Sequence, residues 1–360
     1  MTRRIYINGR FLTGAVTGVQ RYAREIVTAL DRQLAASPDL RDNFEFVLLV
    51  PGRCDDTLPL MHIRQKKAGA FGGHGWEQFY LPWLARDGYL LNLANSAPLF
   101  KLHQLLIIHD AVIYRFPQYF SKAYRSLHML IDGVCSRIAR IGTVSDFSAR
   151  EIAQVLKVPE RAIPVFANGH DHILRIDADS SIIEKLGLAD APYFFILGSK
   201  APHKNIDFAI DAFLKAAPKN FKLVVSGGAN SKVFADSKLI EASNIIYTGR
   251  VSDEAIVALY RHAYALLFPS LYEGFGIPPI EALACGTPVL VSDIDVLKEV
   301  CGAAAIYFSP TNPEGLERAI RDVTTDRSIL VSAFEHSRST LQQFTWEKSA
   351  EKLLKYLQTV

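Results

Sequence analysis

The chain has 360 residues, of which 49% are hydrophobic and 21% charged, and its formal net charge is +3. This length predicts two globular domains, each able to form its own hydrophobic core. No apolar run reaches the length of about 18 residues that a membrane-spanning helix needs, and the N-terminus does not resemble a signal peptide. The four cysteines are far apart, which indicates a reducing compartment. We therefore expect a cytoplasmic protein.

The charge is unevenly distributed along the chain. Residues 1–170 contain 21 Lys and Arg against 14 Asp and Glu, whereas residues 171–360 contain 19 against 23. A basic N-terminal half suggests an anionic partner, and the inner face of the cell membrane is one candidate for peripheral association. Chance unevenness explains the same counts equally well. The basic residues are scattered and no recognition motif accompanies them, so we expect no nucleic-acid partner.

Apolar, strand-like runs alternate with amphipathic helical segments along the whole chain. This alternation predicts an α/β fold of βαβ units with parallel sheets, in two Rossmann-like domains. We place the boundary so that residues 1–170 form the N-terminal domain and residues 171–344 the C-terminal domain. The segment Thr345–Leu357 is predicted as a solvated amphipathic helix. The predicted strands are Ile5–Ile7, Phe46–Val50, Leu105–Ile108, Tyr193–Leu197, Lys222–Ser226, Ile245–Thr248, Ala265–Phe268 and Pro288–Ser292.

The N-terminal half contains a glycine-containing loop, a His-Asp pair and an aromatic segment that could each have a function. A glycine-containing loop that ends at Gly18 opens the first helix, which spans at least Val19–Leu30. His109 and Asp110 follow a strand, where ligand-binding residues of open parallel sheets are found. Asp110 could orient the His or accept a proton, although a single His in this position is often a structural hydrogen-bond donor. The aromatic segment Trp76–Leu84 is predicted to pack in the core, with lipid contact as the alternative.

The segment from Pro269 to Pro288 is the most informative part of the sequence. It follows the strand Ala265–Phe268 and contains Glu273, a Gly-Phe-Gly turn and Glu281. Glycines let the backbone approach an anion closely, and two separated carboxylates can hold two different hydroxyl groups of one extended ligand. Spacing alone leaves an ordinary strand–turn–helix equally plausible.

This segment resembles the signature of the retaining nucleotide-sugar glycosyltransferases of family 4, which have the GT-B fold. The signature is a Glu, seven residues and a second Glu within a frame of the form EGFG…P…EA.A.G.PV, and its details resemble bacterial polysaccharide mannosyltransferases. The resemblance implies two parallel-sheet domains that face each other across a cleft, with residues 345–360 returning to the N-terminal domain. It implies that Glu273 lies at the donor sugar and that Glu281 binds the ribose hydroxyls. The backbone contacts to sugar and diphosphate would come from Gly274, Phe275, Gly276 and Ile277.

Other segments resemble the family in the same order along the chain. Lys200, His203 and Lys204 correspond to its basic residues on the diphosphate, with His203 where Arg is common. His109 and Asp110 correspond to a pair on the acceptor side, where His109 would contact the donor sugar or position the acceptor. The predicted catalytic residues are thus His109, Asp110, Lys204 and Glu273. The remaining donor-binding residues implied by the resemblance are Gly18 near the diphosphate and Gly227, Arg250 and Val251 around the base.

The resemblance implies transfer of a hexose, with retention of configuration, from a nucleotide-sugar to a glycan or a lipid-diphosphate-linked glycan in polysaccharide biosynthesis. GDP-mannose is the preferred donor. The resemblance also implies that no metal is needed, and no cofactor is expected. Asp293 and Asp295 have Asp-x-Asp spacing, but they fall in a loop beyond the donor motif. An inactive nucleotide-sugar-binding protein and a nucleotide-sugar epimerase of the same fold are the alternatives. A nicotinamide dehydrogenase is disfavoured, because no GxGxxG follows the first strand.

Overall fold

The computed structural model describes residues 2–199, 201–227, 240 and 242–360. The chain divides into two compact units. The first unit consists of Met1–Tyr114, Lys122–Asn168 and Thr345–Val360, and the second consists of Arg115–Ser121 and Gly169–Phe344.

The first unit is built on a six-stranded parallel sheet with the strand order β3-β2-β1-β4-β5-β6. Most strands are buried along their length, because helices cover both faces of such a sheet. Its strands are β1 (Arg3–Asn8), β2 (Phe44–Pro51), β3 (Arg64–Ala68), β4 (Tyr89–Asn92), β5 (Gln104–Ile107) and β6 (Arg140–Gly142).

The second unit contains another six-stranded parallel sheet, with the order β12-β11-β10-β7-β8-β9. Two parallel α/β sheets confirm the predicted fold class, and β7, β8 and β10 match the predicted strand bounds. Its strands are β7 (Tyr193–Leu197), β8 (Lys222–Ser226), β9 (Ile245–Gly249), β10 (Ala265–Phe268), β11 (Val289–Ser292) and β12 (Ala305–Phe308).

Helices follow most of the strands, and several begin at the capping residues that the sequence provides. Ser145 and Ser252 each accept a hydrogen bond from the backbone N–H three residues later, which satisfies a donor that the helix itself leaves unpaired. The helices are α1 (Gly18–Ala36), α2 (Pro38–Asn43), α3 (Gly73–Gly75), α4 (Leu81–Leu84), α5 (Val112–Arg115), α6 (Lys122–Ile138), α7 (Asp146–Leu156), α8 (Ser181–Lys185), α9 (Ile206–Ala216), α10 (Asp253–His262), α11 (Ile277–Ala284), α12 (Asp295–Cys301), α13 (Pro313–Thr325), α14 (Ser328–Phe334), α15 (Ser337–Leu341) and α16 (Trp346–Leu357). A π-helical turn, Trp76–Tyr80, precedes α4.

The last helix is less solvated than its sequence suggested. Along α16, one stripe of side chains is fully buried, and the helix packs against α1. The Trp346 ring meets Tyr22 of α1 edge-on, with 5.9 Å between ring centroids. The helix is amphipathic as predicted, but its apolar face belongs to the core of the first unit. The stripe consists of Trp346, Ala350, Leu353 and Leu357.

The aromatic segment Trp76–Leu84 is only partly buried. Its predicted packing in the core is confirmed for one side of the segment and wrong for the other. Trp76 and Leu81 are fully buried and pack against Val47 and Leu49 of β2. Phe79 and Trp83, however, are 75% and 63% exposed. The helical period places these two rings on the side opposite the core.

Candidate active site

The second sheet has a topological switch point between β7 and β10. Strands β8 and β9 follow on one side of it, and β11 and β12 on the other. Ligands of open α/β sheets bind outside the carboxyl ends of the strands at such a point. The turn after β7 carries Lys204, and the turn after β10 carries Glu273. The fold thus brings the two predicted catalytic residues of this unit to one place.

Lys204 and Glu273 are in direct contact. The Lys204 ammonium donates a hydrogen bond of 2.6 Å to Glu273 Oε1, and the Ser270 hydroxyl donates one of 2.7 Å to the same oxygen. The Lys204 Nζ also lies 5.8 Å from the centroid of the Phe268 ring. Both charged side chains keep some exposure, 23% and 12%. A partly exposed ion pair of this kind can exchange one of its contacts for a contact with a ligand.

The turn between β10 and α11 is shaped by Gly276, which precedes the helix. Its φ of +94° lies in the left-handed region, and a Cβ there would come 2.7 Å from the Leu297 side chain. Only glycine adopts this conformation without strain. The N-cap residue Gly276 has no side chain that could cap α11, and the positive end of the helix dipole lies at the turn that carries Glu273.

Glu281 lies within α11 and is almost completely buried, with 8% of its surface exposed. Its Oε1 is 2.9 Å from His172 Nε2, and its Oε2 accepts a hydrogen bond of 3.0 Å from the Tyr260 hydroxyl. Burial and the Glu281 charge raise the pKa of Tyr260 well above its usual value, so this phenol stays a donor. Each carboxylate oxygen can accept a second hydrogen bond, which leaves Glu281 able to bind a ligand hydroxyl.

His172 and Tyr260 were not predicted from the sequence. His172 is 3% exposed and Tyr260 is fully buried. They lie 109 and 21 residues from Glu281 along the chain, so no local motif connects them. The sequence offered one indication of the Tyr260 contact. Tyr260 lies on the apolar side of an amphipathic helix, and a buried phenol needs a hydrogen-bond partner.

His203, one of the predicted donor-binding residues, is a half-buried and uncharged side chain, and its contact with a diphosphate stays a prediction. Burial, together with the nearby Lys204 charge, lowers the pKa of His203 to about 4, so the ring is neutral near pH 7. Its Nδ1 is buried and has no hydrogen-bond partner within the described part of the chain. Its backbone carbonyl accepts a hydrogen bond from the Leu271 N–H, which ties the two turns together. Lys200, the other predicted basic residue, lies outside the described residues.

Gly227 is explained by backbone packing. Its φ is +137°, and a Cβ at this position would lie 1.9 Å from the carbonyl oxygen of Gly198. Its N–H donates to the carbonyl of Gly249, which precedes the exposed Arg250 and the half-buried Val251. A role of Gly227, Arg250 and Val251 at a nucleotide base stays a prediction.

The residues around the Gly-Phe-Gly turn are mostly enclosed. Gly274 is buried and Ile277 half-buried. Phe275 is 3% exposed and meets Phe344 edge-on, with 5.3 Å between ring centroids. The Phe275 side chain is therefore a packing residue, and only the backbone of this turn is available to a ligand.

In the first unit, the side chain of His109 is fixed by contacts with Leu93 and Tyr22. Its Nε2 is 2.9 Å from the Leu93 carbonyl, and Tyr22 meets the ring edge-on at 4.7 Å. Burial lowers the pKa of His109 to about 4, against the opposing hydrogen bond to Leu93. The ring is therefore neutral, with Nε2 as donor and Nδ1 as acceptor. Asp110 accepts a hydrogen bond of 2.9 Å from the Val112 N–H at the start of α5.

Gly18 is the exposed first residue of α1, whose start is closed by Thr17 and Gln20 in a capping box. The structure thus places Gly18 at a helix start, as the sequence predicts. Its contact with a diphosphate is untested.

Among the described residues, no group of three or more His, Cys, Asp or Glu is arranged to hold a metal ion. Asp293 lies in a loop as predicted and forms an exposed ion pair of 2.5 Å with Lys298, but the loop prediction was wrong for Asp295, which begins α12. The described part of the second unit instead has the carboxylates of Glu273 and Glu281, the Lys204 ammonium and the start of α11 in this region. This combination suits a ligand that carries both hydroxyl groups and a diphosphate.

Comparisons with known proteins agree with this chemistry. Residues 179–339 match the model of the family described as glycosyl transferases group 1. O-antigen chain mannosyltransferase B of Escherichia coli is 31% identical, over 92% of this chain and 93% of that protein. The chain belongs to the group 1 glycosyltransferases.

A second relative and a solved structure extend the comparison. The O-antigen chain mannosyltransferase RfbU of Salmonella typhimurium is 30% identical to this glycosyltransferase, over 85% of the chain and 87% of the relative. The structure of the Anabaena protein Alr3699/HepE, solved in complex with UDP-glucose, aligns with this chain with a TM-score of 0.74 at 16% identity. The alignment covers 100% of each chain. In the described part of this glycosyltransferase, no helix is long and apolar enough to cross a membrane.

Proposed function

We propose that this glycosyltransferase transfers mannose from GDP-mannose to a growing glycan on a lipid diphosphate in polysaccharide biosynthesis, with retention of the anomeric configuration. The observation that carries the proposal is the pair of carboxylates, Glu273 and Glu281, on the one strand–turn–helix segment that begins at the switch point of the second sheet. The mannosyltransferase relatives support the choice of sugar.

The donor binds to the second unit through three kinds of contact. Glu281, held by His172 and Tyr260, accepts hydrogen bonds from the ribose hydroxyls. The backbone N–H groups of Gly276 and Ile277 at the start of α11 bind the diphosphate together with the Lys204 ammonium, since Pro278 and Pro279 have no N–H to donate. Glu273 accepts a hydrogen bond from a sugar hydroxyl while it keeps Lys204 in place.

Catalysis depends mainly on the charge that develops as the diphosphate leaves. The bond from the anomeric carbon to the diphosphate oxygen breaks, and a bond to the acceptor oxygen forms on the same face of the sugar. Lys204 stabilises the growing negative charge, which is the kind of fixed electrostatic contact that contributes most to catalysis. Asp110 takes the acceptor proton, and neutral His109 positions the acceptor hydroxyl or the sugar.

The base of the donor is the least constrained part of the proposal. The mannosyltransferase relatives favour mannose as the sugar, but their names give no nucleotide, and the Anabaena structure holds UDP-glucose but shares only the fold. Release of nucleoside diphosphate from GDP-mannose, GDP-glucose and UDP-glucose should be measured with lipid-linked glycan as acceptor. We expect turnover with GDP-mannose, unchanged by EDTA, and a product whose anomeric configuration by NMR matches that of the donor.

Three results would contradict the proposal in different ways. Turnover only with UDP-glucose would move the assignment to another donor. Loss of activity in EDTA, restored by Mg²⁺ or Mn²⁺, would overturn the metal-free mechanism. Nucleotide-sugar binding without turnover, in the wild type and in Glu273→Gln alike, would favour a binding protein.

A further inference from the structure

Large apolar side chains are exposed together on the first unit. Five of them, all between residues 71 and 102, have more than half of their surface in solvent. We call this set the aromatic face. It consists of Phe71 (58% exposed), Phe79 (75%), Trp83 (63%), Phe100 (80%) and Leu102 (66%). Contiguous exposed apolar surface of this kind usually marks an interaction site.

The centre of the aromatic face is the helical segment Trp76–Leu84. Phe79 and Trp83 are four residues apart, so they lie on one side of the segment, while Trp76 anchors the other side in the core. The Trp76 indole N–H donates to the Ala68 carbonyl at the end of β3. Phe71 joins the face through the Tyr80 ring, with 5.6 Å between centroids.

The loop before β5 brings the last two side chains alongside this segment. The Gln78 side chain donates to the Ala97 carbonyl and accepts from the Leu99 N–H. Lys101 is buried and donates hydrogen bonds of 2.8 and 2.7 Å to the carbonyls of Ala85 and Gly88. Because Lys101 points inward, its neighbours Phe100 and Leu102 are held outward. The loop is therefore fastened in the conformation that exposes them.

The charge around the aromatic face is mainly positive. From Arg64 to Asp87 the chain has four Lys and Arg but only two acidic residues. Of these two, Glu77 is fully buried and Asp87 pairs with Arg4. The Arg86 guanidinium lies 5.1 Å from the centroid of the Trp83 ring, at the edge of the face.

A second basic residue emerges on the same side of the sheet. Lys66 is exposed and pairs in register with Leu49, which packs against the aromatic segment. Side chains paired across parallel strands share a face of the sheet. The exposed rings thus have cations beside them and little free negative charge.

We infer that the aromatic face docks on the surface of an anionic lipid bilayer. Trp and Phe lie at the boundary between acyl chains and headgroups, and arginine binds the headgroup phosphates. This goes beyond the proposed function, because docking depends neither on the donor nor on turnover. It predicts an acceptor that is presented at the same membrane surface.

The three tryptophans make a direct test practicable. Trp76 and Trp346 are fully buried, so Trp83 is the tryptophan that a bilayer can reach. Vesicles of phosphatidylcholine with phosphatidylglycerol should shift the emission to the blue, and brominated acyl chains should quench it. Vesicles of phosphatidylcholine alone should bind more weakly, and raised salt should weaken binding to the anionic ones. Trp83→Phe should abolish both optical signals.

Co-sedimentation of the double variant Phe79→Ser, Trp83→Ser should show vesicle affinity reduced at least about tenfold, since each ring loses its burial in the interface. The matched control is Ile329→Ser, Val331→Ser, which removes exposed apolar side chains of α14 in the second unit and should bind as the wild type does. Arg86→Gln should lower only the salt-sensitive part of binding. Donor turnover with a water-soluble acceptor should be unchanged in all three variants.

Two results would overturn the inference. One is negligible binding of the wild type to anionic vesicles at low salt, with no quenching by brominated lipid. The other is a concentration-dependent dimer that the double variant loses and that competes with vesicles, which would assign the face to a second copy of the chain. Vesicle binding and dimer formation are both measured without the donor. If the membrane inference fails, the proposed sugar transfer is therefore unaffected.

Discussion

At the scale of single residues, the two carboxylates of the candidate site, Glu273 and Glu281, have different surroundings. Glu281 is buried and receives hydrogen bonds on both oxygens, whereas Glu273 is partly exposed and shares one oxygen with Lys204 and Ser270. A buried carboxylate that is already fixed suits recognition of a constant group such as ribose. A partly exposed one suits contacts that change during a reaction.

Tyr260 is expected to act through Glu281 as a positioning residue. Tyr260→Phe removes one donor and leaves the ring. Because Tyr260 acts on the nucleotide only through Glu281, we expect nucleotide affinity to fall about threefold to tenfold, in the range of about 0.5–1.5 kcal/mol of an ordinary hydrogen bond. The loss should appear in KM and in nucleotide Kd with kcat almost unchanged. A fall in kcat with an unchanged Kd would contradict this role.

Lys204 is expected to act mainly on the leaving diphosphate. Lys204→Ala should lower kcat by roughly tenfold to a thousandfold, as expected for one electrostatic contact in a transition state. The matched control is Lys215→Ala, whose side chain is 63% exposed and pairs with Glu317. If kcat is kept and only KM rises, Lys204 holds the donor without assisting the departure of the diphosphate.

The residues of the site differ in how far the sequence could predict them. Glu273 and Glu281 belong to one continuous motif, so their placement near one turn follows from the chain itself. His172 and Tyr260 reach Glu281 only through the tertiary fold. The neutral state of His203 depends on burial, which its exposed-looking Pro-His-Lys sequence does not indicate.

At the scale of elements, eight strands were predicted from apolar runs, whereas the polar β3, the three-residue β6 and the apolar β4 and β12 were not. The strand β3 has the sequence RQKKA and lies at the sheet edge, where backbone pairing rather than side-chain burial forms the strand. The strand β6 has three residues, too few to show a period. The strands β7, β8 and β10 are covered on both faces of the sheet, so their sequences are continuously apolar and could be recognised as strands.

The turn after β8 depends on glycine at position 227. Gly227→Ala should destabilise the second unit by about 2 kcal/mol or more, because the Cβ would collide with Gly198 and the backbone conformation is unfavourable. Gly14→Ala is the control, since its φ is −120° and its Cβ would meet nothing within 4 Å. Urea unfolding of both variants gives the comparison. Equal stability would show that the turn relaxes freely.

At the scale of the whole molecule, buried titratable groups predict how stability depends on pH. Burial lowers the pKa of His109 and of His128 to about 4, so the unfolded chain binds these protons first and stability falls as pH drops from about 6.5 to 4. Asp132 acts in the opposite sense, because burial raises its pKa to about 7 and its contribution is lost as pH rises through that value. Asp132→Asn should therefore steepen the fall of the thermal midpoint between pH 6.5 and pH 4. A flatter profile would contradict these assignments.

Glu281 is proposed to hold the nucleotide of the donor, and the assignment of the donor site depends on this contact. Calorimetric titration of GDP into the wild type and into Glu281→Ala, both in EDTA, tests it most directly. We expect the wild type to bind GDP and the variant to bind it about tenfold to a hundredfold more weakly, which corresponds to charge-assisted hydrogen bonds of about 1.5–3 kcal/mol. Equal affinity in the two proteins, with both correctly folded, would show that Glu281 does not hold the nucleotide.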